Sequence, residues 1–457
     1  MLKRYTKPPM DSVWVEQAKF DQWVESLLAV LYARVQKRQI DQESFDLISQ
    51  SVDVNVERVH ELDKEFQHDA QALIETVRES LRAAGINEMT TALMGARITS
   101  YDMEDPAFGV LIVKSLDLIL LELEKLLITL KARASEFRRT KCIFMTHGQP
   151  AVPGFLGIKF CRWIASFERD RQWIRQAREN IRVGKFSGAG GTYDELDPDI
   201  EEIACKRLGL EADEASSQII QRDRHARVMT ALAICACNIS QAANELWGMC
   251  SYPRNEAREY FSPTQRGSSA MPHKKNPIKL EQLRGMSSPM RSYAMAALEH
   301  IMTWDERAID QSSTERIIWP DATTLVHYML TTLRETVGKM IFYPKRMQAN
   351  LDYLQGIWAA QYVKNVLWDK GVFELKFFES GFEEPNRKCE ILPTYKWIQL
   401  CAFVAWDQST NQPVKPLRAV LIDQGIEIYL DEEELDPCFD LNHILRNADV
   451  IYSRFGI

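Results

Sequence analysis

Apolar residues spaced three and four apart over long stretches restrict the fold of this chain most. That period lines one face of a helix and is incompatible with the two-residue alternation of a strand. Val59, Leu62, Phe66, Leu73, Val77 and Leu81 form one stripe, with Ala70 filling its gap and His68 lying off it. Asp105-Pro106 reads as an N-cap followed by proline at the first helical position. Val113, Leu116, Leu120, Leu123, Leu127 and Leu130 then carry a long helix to about Arg139. A second long helix is expected after Pro153, through Phe155, Ile158, Trp163, Phe167, Trp173 and Ile181, with others near 224–250, 280–300 and 320–342. Strand-like alternation is rare and no βαβ rhythm appears. The expected class is therefore all-α, with an up-and-down bundle of long helices at its centre. Three domains are expected: a helical unit over 1–105, the bundle over 106–354 and a helical unit over 355–457.

Composition narrows the possible functions. With a formal net charge of -8, the chain lacks the positive footprint of a general nucleic-acid or anionic-membrane surface, so neither partner is expected and any basic site must be local. Nine cysteines without a CxxC pair fit free thiols, and Cys235 and Cys237 read as packing residues. Met1 to Tyr5 is followed by prolines and charges instead of an apolar leader, which predicts a cytoplasmic protein. The uncharged run from Val228 to Asn244 falls short of a membrane span and reads as a buried bundle helix. Gly184-Lys185-Phe186-Ser187-Gly188-Ala189-Gly190-Gly191 lacks phosphate-loop spacing and follows an Arg-rich helix, so its glycines signal close packing or substrate contact. Asp431-Glu432-Glu433-Glu434 reads as a solvated turn or helix start, and no cluster of metal ligands is visible.

The chemistry concentrates in Gly267-Ser268-Ser269-Ala270-Met271-Pro272-His273-Lys274-Lys275-Asn276-Pro277. Two prolines and a glycine break any helix through this strip, and Asn276-Pro277 then opens a new one whose N-terminus favours anions. Lysine charge and free N–H donors could hold a carbanion beside a carboxylate, while a serine in the same field could act as base. A solvated Ser/Lys loop is the bland alternative. Thr146-His147-Gly148-Gln149-Pro150 sits between the two long helices, where His147 either caps a turn or serves as an accessible acid.

Taken with these segments, the strip resembles the signature loop of the fumarase/aspartase superfamily, and its His-Lys-Lys-Asn-Pro ending is most similar to the adenylosuccinate lyase family. The resemblance runs the length of the chain. It implies Ser268 as the base, His147 as the general acid, Lys274, Asn276 and Ser269 around the developing charge, and His68 orienting the acid. Gln67-His68-Asp69 is similar to the family's Arg-His-Asp, which adds Asp69 to the site. Arg4-Tyr5 is similar to its nucleotide-contacting pair, and Thr99-Ser100-Tyr101-Asp102 to a Thr-Ser-x-Asp segment that holds a carboxylate. Gln218 opens a run similar to Gln-x-x-Gln-Arg-Asp-Arg-His-Ala and is placed against substrate. Arg222 and Asp223 could equally form an ion pair. Trp304-Asp305-Glu306-Arg307 and Ser312-Ser313-Thr314-Glu315-Arg316 are similar to segments that imply Arg307, Ser312 and Arg316 as substrate contacts, the last two on a phosphate.

Several positions inside these motifs differ from the family pattern. Gly95 and Arg97 stand in a His-x-Gly segment, Met145 for an arginine, Gln67 for a basic residue and Asp305 for a histidine. The segment from about Ser380 to Gln424 also differs. The resemblance implies a carbon–nitrogen lyase that removes fumarate from a nucleotide carrying a succinyl group, converting adenylosuccinate to AMP and the succinylated carboxamide ribotide to its amide in purine biosynthesis. The alternatives are a lyase for another aspartate adduct and a silent nucleotide-binding relative. No cofactor or metal is implied, and the family's homotetramer implies shared active sites and a 20-helix core.

Overall fold

The computed structural model describes residues 2–378 and 389–457, so the first part of the divergent Ser380 to Gln424 segment lies outside the described residues. The chain divides into two compact units. The first comprises Met1–Leu127, Ser166–Asn244 and Ile278–Glu335; the second comprises Ile128–Ala165, Glu245–Pro277 and Thr336–Ile457.

Long helices dominate, at Ser100–Glu136, Leu156–Ile181, Arg222–Cys250, Ile278–Glu299 and Asp310–Lys339. Leu116, Leu120, Leu123, Leu127 and Leu130 are buried along the first of these, as their spacing predicts. That helix begins at Ser100, not at Asp105-Pro106, and Pro106 lies inside it. The reason is local capping: the Thr99 N–H donates to the Asp102 carboxylate at 2.9 Å, and the Asp102 N–H donates to the Thr99 carbonyl at 3.0 Å. Near a helix start, Pro106 removes little hydrogen bonding.

The stripe from Val59 to Leu81 is divided between two helices, Val56–Phe66 and Asp69–Ala83. Gln67 ends the first in the left-handed region, at φ 54°, and His68 is extended at the N-cap of the second. Both helices bury the stripe against Phe20, Trp23, Leu27 and Leu31 of the Glu16–Gln36 helix, which explains why the spacing looked continuous, except that Phe66, at the end of the first helix, is exposed.

The turn holding His147 is a β-hairpin between Lys141–Thr146 and Gln149–Phe155, which the helical reading missed. His147 and Gly148 have φ of 51° and 74°, as a two-residue hairpin of the I′ type requires. Met145 follows a register shift in this hairpin and packs on the Ile143, Leu351 and Leu354 cluster of the second unit. That unit has a further core around Leu367, Trp397, Leu417 and Leu421. The acidic run forms a short helix, Glu432–Leu435, capped by Asp431.

The Arg222–Cys250 helix is 29 residues long and, by length and composition, could cross a membrane, contrary to the expectation from its uncharged run. Its most apolar window is 61% buried, as in a core helix. None of the nine cysteines forms a disulfide, and Cys235 is fully buried, consistent with packing. In the glycine-rich stretch, a Cβ on Gly191 would lie 2.1 Å from the Ser216 carbonyl oxygen, at φ +72°. Close packing explains that glycine. Gly191→Val is expected to destabilise by about 1–3 kcal/mol through backbone strain alone, read as a lowered melting temperature.

Candidate active site

Ten of the candidate residues belong to the first unit and five, His147, Ser268, Ser269, Lys274 and Asn276, to the second. In the first unit, the N-terminus of Ser100–Glu136, the extended segment before Arg222–Cys250, the loop before Asp310–Lys339 and that helix's first turns converge. Arg307 Nη1 donates to Ser100 Oγ and to Gln218 Oε1, both at 3.2 Å, while Gln218 Nε2 donates to Thr99 Oγ1 at 3.3 Å. The Arg307 guanidinium also lies 4.0 Å from the centre of the Tyr101 ring. These contacts join four of the residues that the resemblance implied as substrate contacts, Thr99, Ser100, Gln218 and Arg307, although they come from three distant stretches of sequence.

A polar cavity of about 250 Å³ adjoins them, lined by His68, Asp69, Glu104, Arg307, Ser312 and Arg316 among others. Its walls thus gather five of the predicted residues. Arg316 Nη1 pairs with Asp69 at 2.7 Å, and Nη2 faces Glu104 at 3.4 Å. Asp69 is also 3.7 Å from Lys19. A second cavity of about 300 Å³ shares Glu104, Ser312 and Arg316 with the first and is lined by the rings of Trp14, Trp23, Tyr101 and Phe108. Arg4 and Tyr5 line neither cavity: Arg4 is exposed on a short 3-10 turn, and the Tyr5 ring stands edge-on to Tyr328.

Burial and charge set the proton affinities here. Burial and the neighbouring Asp69 push the Glu104 carboxyl up to about 7, against the pull of Arg316, Arg307 and Lys19. Burial lowers Lys19, which lies over the Phe20 and Trp23 rings, 4.7 and 4.5 Å from their centres. Burial, Glu104 and Asp105 raise Tyr101, whose hydroxyl stays protonated, against the opposing influence of Ser312 and Arg222. The sequence reading missed Tyr101, Glu104 and Lys19. The available signal was Glu104 itself, an acidic residue one helical turn after Ser100.

Beneath the site, Arg222 does not pair with Asp223, which is exposed. It reaches inward instead to Asp105, at 2.9 and 3.0 Å, and Glu315, at 2.9 and 3.2 Å. This triad ties the first turns of three long helices together.

In the second unit, the strip from Gly267 folds back on itself: a Cβ at Gly267 would lie 2.2 Å from the Lys274 carbonyl oxygen. Ser268 Oγ accepts the N–H groups of Ala270 at 3.3 Å and Met271 at 3.1 Å. Donors aimed at this oxygen favour its deprotonated form. The strip ends at the Ile278–Glu299 helix, one residue after Pro277. Ser269 and Lys274 are exposed and Asn276 is half-buried. His147 is exposed at its hairpin tip, presenting a ring nitrogen to whatever approaches.

The divergent positions have structural consequences. Gly95 has φ +79°, and a Cβ there would sit 3.0 Å from Ile74 Cδ1, so a larger residue would strain the turn. Arg97 pairs with Glu195 at 3.3 Å, both exposed, and is absent from the walls of both cavities. Gln67 turns back to donate to the Lys64 carbonyl at 2.9 Å. Among the described residues, no group of three or more His, Cys, Asp or Glu could hold a metal ion.

Residues 3–291 match a family model described as lyase. The chain is 36% identical over its whole length to the adenylosuccinate lyase of Synechocystis sp. (strain ATCC 27184 / PCC 6803 / Kazusa) and 34% identical to that of Bacillus subtilis (strain 168), covering 100% of each. In fold it is similar to a fumarate lyase from Mesorhizobium sp. BNC1, with a TM-score of 0.83, 20% identity, and 100% of this chain and 99% of that one covered. It is also similar to the 3-carboxy-cis,cis-muconate lactonizing enzyme from Pseudomonas putida, with a TM-score of 0.84, 23% identity, and 99% and 96% covered. The architecture is the all-α fold of the fumarase type. Whole-chain identity and fold agree with the motifs, and the chain belongs to the adenylosuccinate lyase family of the fumarase/aspartase superfamily.

Proposed function

We propose that this chain is a carbon–nitrogen lyase that eliminates fumarate from adenylosuccinate, giving AMP, and from the succinylated carboxamide ribotide of purine biosynthesis, giving its amide. Whole-chain identity to enzymes named adenylosuccinate lyase carries this reading. Ser268, as an alkoxide, takes the proton from the succinyl carbon next to one carboxylate. The electron pair rests on that carboxylate as a dianion, which Lys274, Asn276, Ser269, Thr99 and Ser100 stabilise. It then returns to form the carbon–carbon double bond as the carbon–nitrogen bond breaks, and His147, oriented by His68, protonates the departing nitrogen. Gln218 and Arg307 hold the succinyl half, and Ser312 and Arg316, with Asp69 steering the arginine, take the phosphate. Arg4 and Tyr5 meet the nucleotide. Turnover of a panel of N-succinyl compounds, followed by fumarate release, tests the assignment: activity confined to adducts without a nucleotide would favour the reading with another leaving amine.

The working form is proposed to be a cytoplasmic homotetramer whose active sites draw residues from several chains around a 20-helix core, each chain divided near 105 and 354. Co-refolding a Ser268→Ala chain with a His68→Ala chain should then restore activity that neither has alone. Sedimentation of a fully active monomer would contradict the shared site.

A further inference from the structure

Arg316 does not present a free fork to an incoming anion. Nη1 is engaged by Asp69 at 2.7 Å and Nη2 faces Glu104 at 3.4 Å. Glu104 is only 9% exposed and belongs to the shared wall of the polar and aromatic cavities. The charged and titratable groups around it come from every neighbouring element. Glu16 and Lys19 lie on the Glu16–Gln36 helix, Asp63 lies on the Val56–Phe66 helix, and His68 and Asp69 open the Asp69–Ala83 helix. Tyr101 and Asp105 share the helix of Glu104, Arg307 sits in its loop, and Glu315 and Arg316 lie on the Asp310–Lys339 helix. Arg222 is spent on Asp105 and Glu315. What remains is Lys19, Arg307 and Arg316 against Glu16, Asp63, Asp69 and Glu104, so the carboxylates already outnumber the cations.

A phosphate monoester brings about -1.5 to -2 further charge. Placing it on Arg316 beside two ionised carboxylates in a partly buried pocket would leave negative charge uncompensated. One carboxylate must move away or take up a proton. Asp69 has the shorter contact to Arg316 and Lys19 as a second cation, whereas Glu104 is more deeply buried and more distant from its arginine. Once protonated, Glu104 also changes from a competing acceptor into an O–H donor for a phosphate oxygen.

We propose that Glu104 is a further binding residue of this pocket, taking up a proton when a phosphate monoester settles on Arg316, so that ligand binding and protonation are coupled. This rests on the reading of Arg316 and Ser312 as the phosphate site. Burial and Asp69, which hold the Glu104 carboxyl near 7, keep the proton uptake inexpensive at neutral pH. The sign follows: the ionised form opposes the ligand, so affinity falls as pH rises above the Glu104 value, by up to about tenfold per pH unit.

AMP binding to the assembled full-length protein, measured calorimetrically from about pH 6 to 9 in buffers of different ionisation enthalpy, tests this coupling. Above about pH 7.5 the phosphate of AMP is fully ionised and contributes no slope of its own. The wild type is expected to take up protons and weaken steeply there. Glu104→Gln should lose both behaviours and bind at least about tenfold more tightly than wild type at about pH 8.5. Unchanged proton uptake in Glu104→Gln, or pH-independent wild-type binding, would overturn the inference. If wild type binds no AMP, a gain of binding in Glu104→Gln supports the inference and no gain overturns it. Fumarate release from adenylosuccinate in the same preparation separates the two readings. Turnover with unlinked AMP binding removes only the role of Glu104, and linked binding without turnover removes only the lyase assignment.

Discussion

Replacing Ser268 with alanine is expected to lower the kcat for fumarate release by about 10³-fold, within the range for a positioned general base, while KM and melting temperature change little. The size of the effect follows from local geometry. Ser268 Oγ accepts two backbone N–H groups, from Ala270 and Met271, in a strip fixed by the close approach of Gly267 to the Lys274 carbonyl. Those two donors stabilise negative charge on this oxygen. Alanine removes the base and keeps the backbone shape, so the loss should fall on the chemical step. A variant with normal kcat would remove Ser268 from the reaction. An equal loss in melting temperature would assign it a structural role instead.

Arg222→Met is expected to have the largest effect on stability, about 3–5 kcal/mol, because it leaves Asp105 and Glu315 as a buried pair of uncompensated carboxylates. Arg222 is 2% exposed and Asp105 is 3% exposed, so solvent screens the remaining carboxylates weakly. The damage should depend on pH. Burial already raises Glu315 above the ordinary carboxylate range, with Arg222 opposing the shift, and removing the arginine raises it further. A carboxyl whose folded-state pKa exceeds its unfolded value adds stability at low pH that is lost as pH rises through the folded value. Thermal unfolding of Arg222→Met should therefore show its largest deficit against wild type at neutral and alkaline pH and a smaller one in mild acid. Adding Glu315→Gln to Arg222→Met should recover part of the loss.

The helical class was legible from spacing because burial of one face imposes a period, and Leu116, Leu120 and Leu123 obey it. What spacing could not supply was where one stripe breaks. The left-handed turn at Gln67 and the N-cap at His68 interrupt a pattern whose two halves pack on the same Glu16–Gln36 helix, so the break leaves no gap in the apolar period. The hairpin around His147 was hidden for a related reason. Its second strand carries Pro150 and Pro153, and its turn is made by His147-Gly148 instead of Asn-Gly. Capping by Asp102 outweighed the Asp105-Pro106 signal at the start of the long helix.

Motif order singled out Thr99, Ser100, Gln218 and Arg307 as candidates, and the structure joins them through hydrogen bonds that no local pattern encodes. Tyr101 and Glu104 escaped because their importance lies in what they face. Tyr101 stacks under Arg307, while Glu104 shares Arg316 with Asp69. Such pairings depend on tertiary approach between residues about two hundred positions apart.

Incubating the purified protein with adenylosuccinate and following both products tests the proposed reaction most directly. Fumarate and AMP should appear in equal amounts from the wild type, and Ser268→Ala should suppress both together. Intact adenylosuccinate in the presence of a folded, assembled wild-type protein would contradict the assignment.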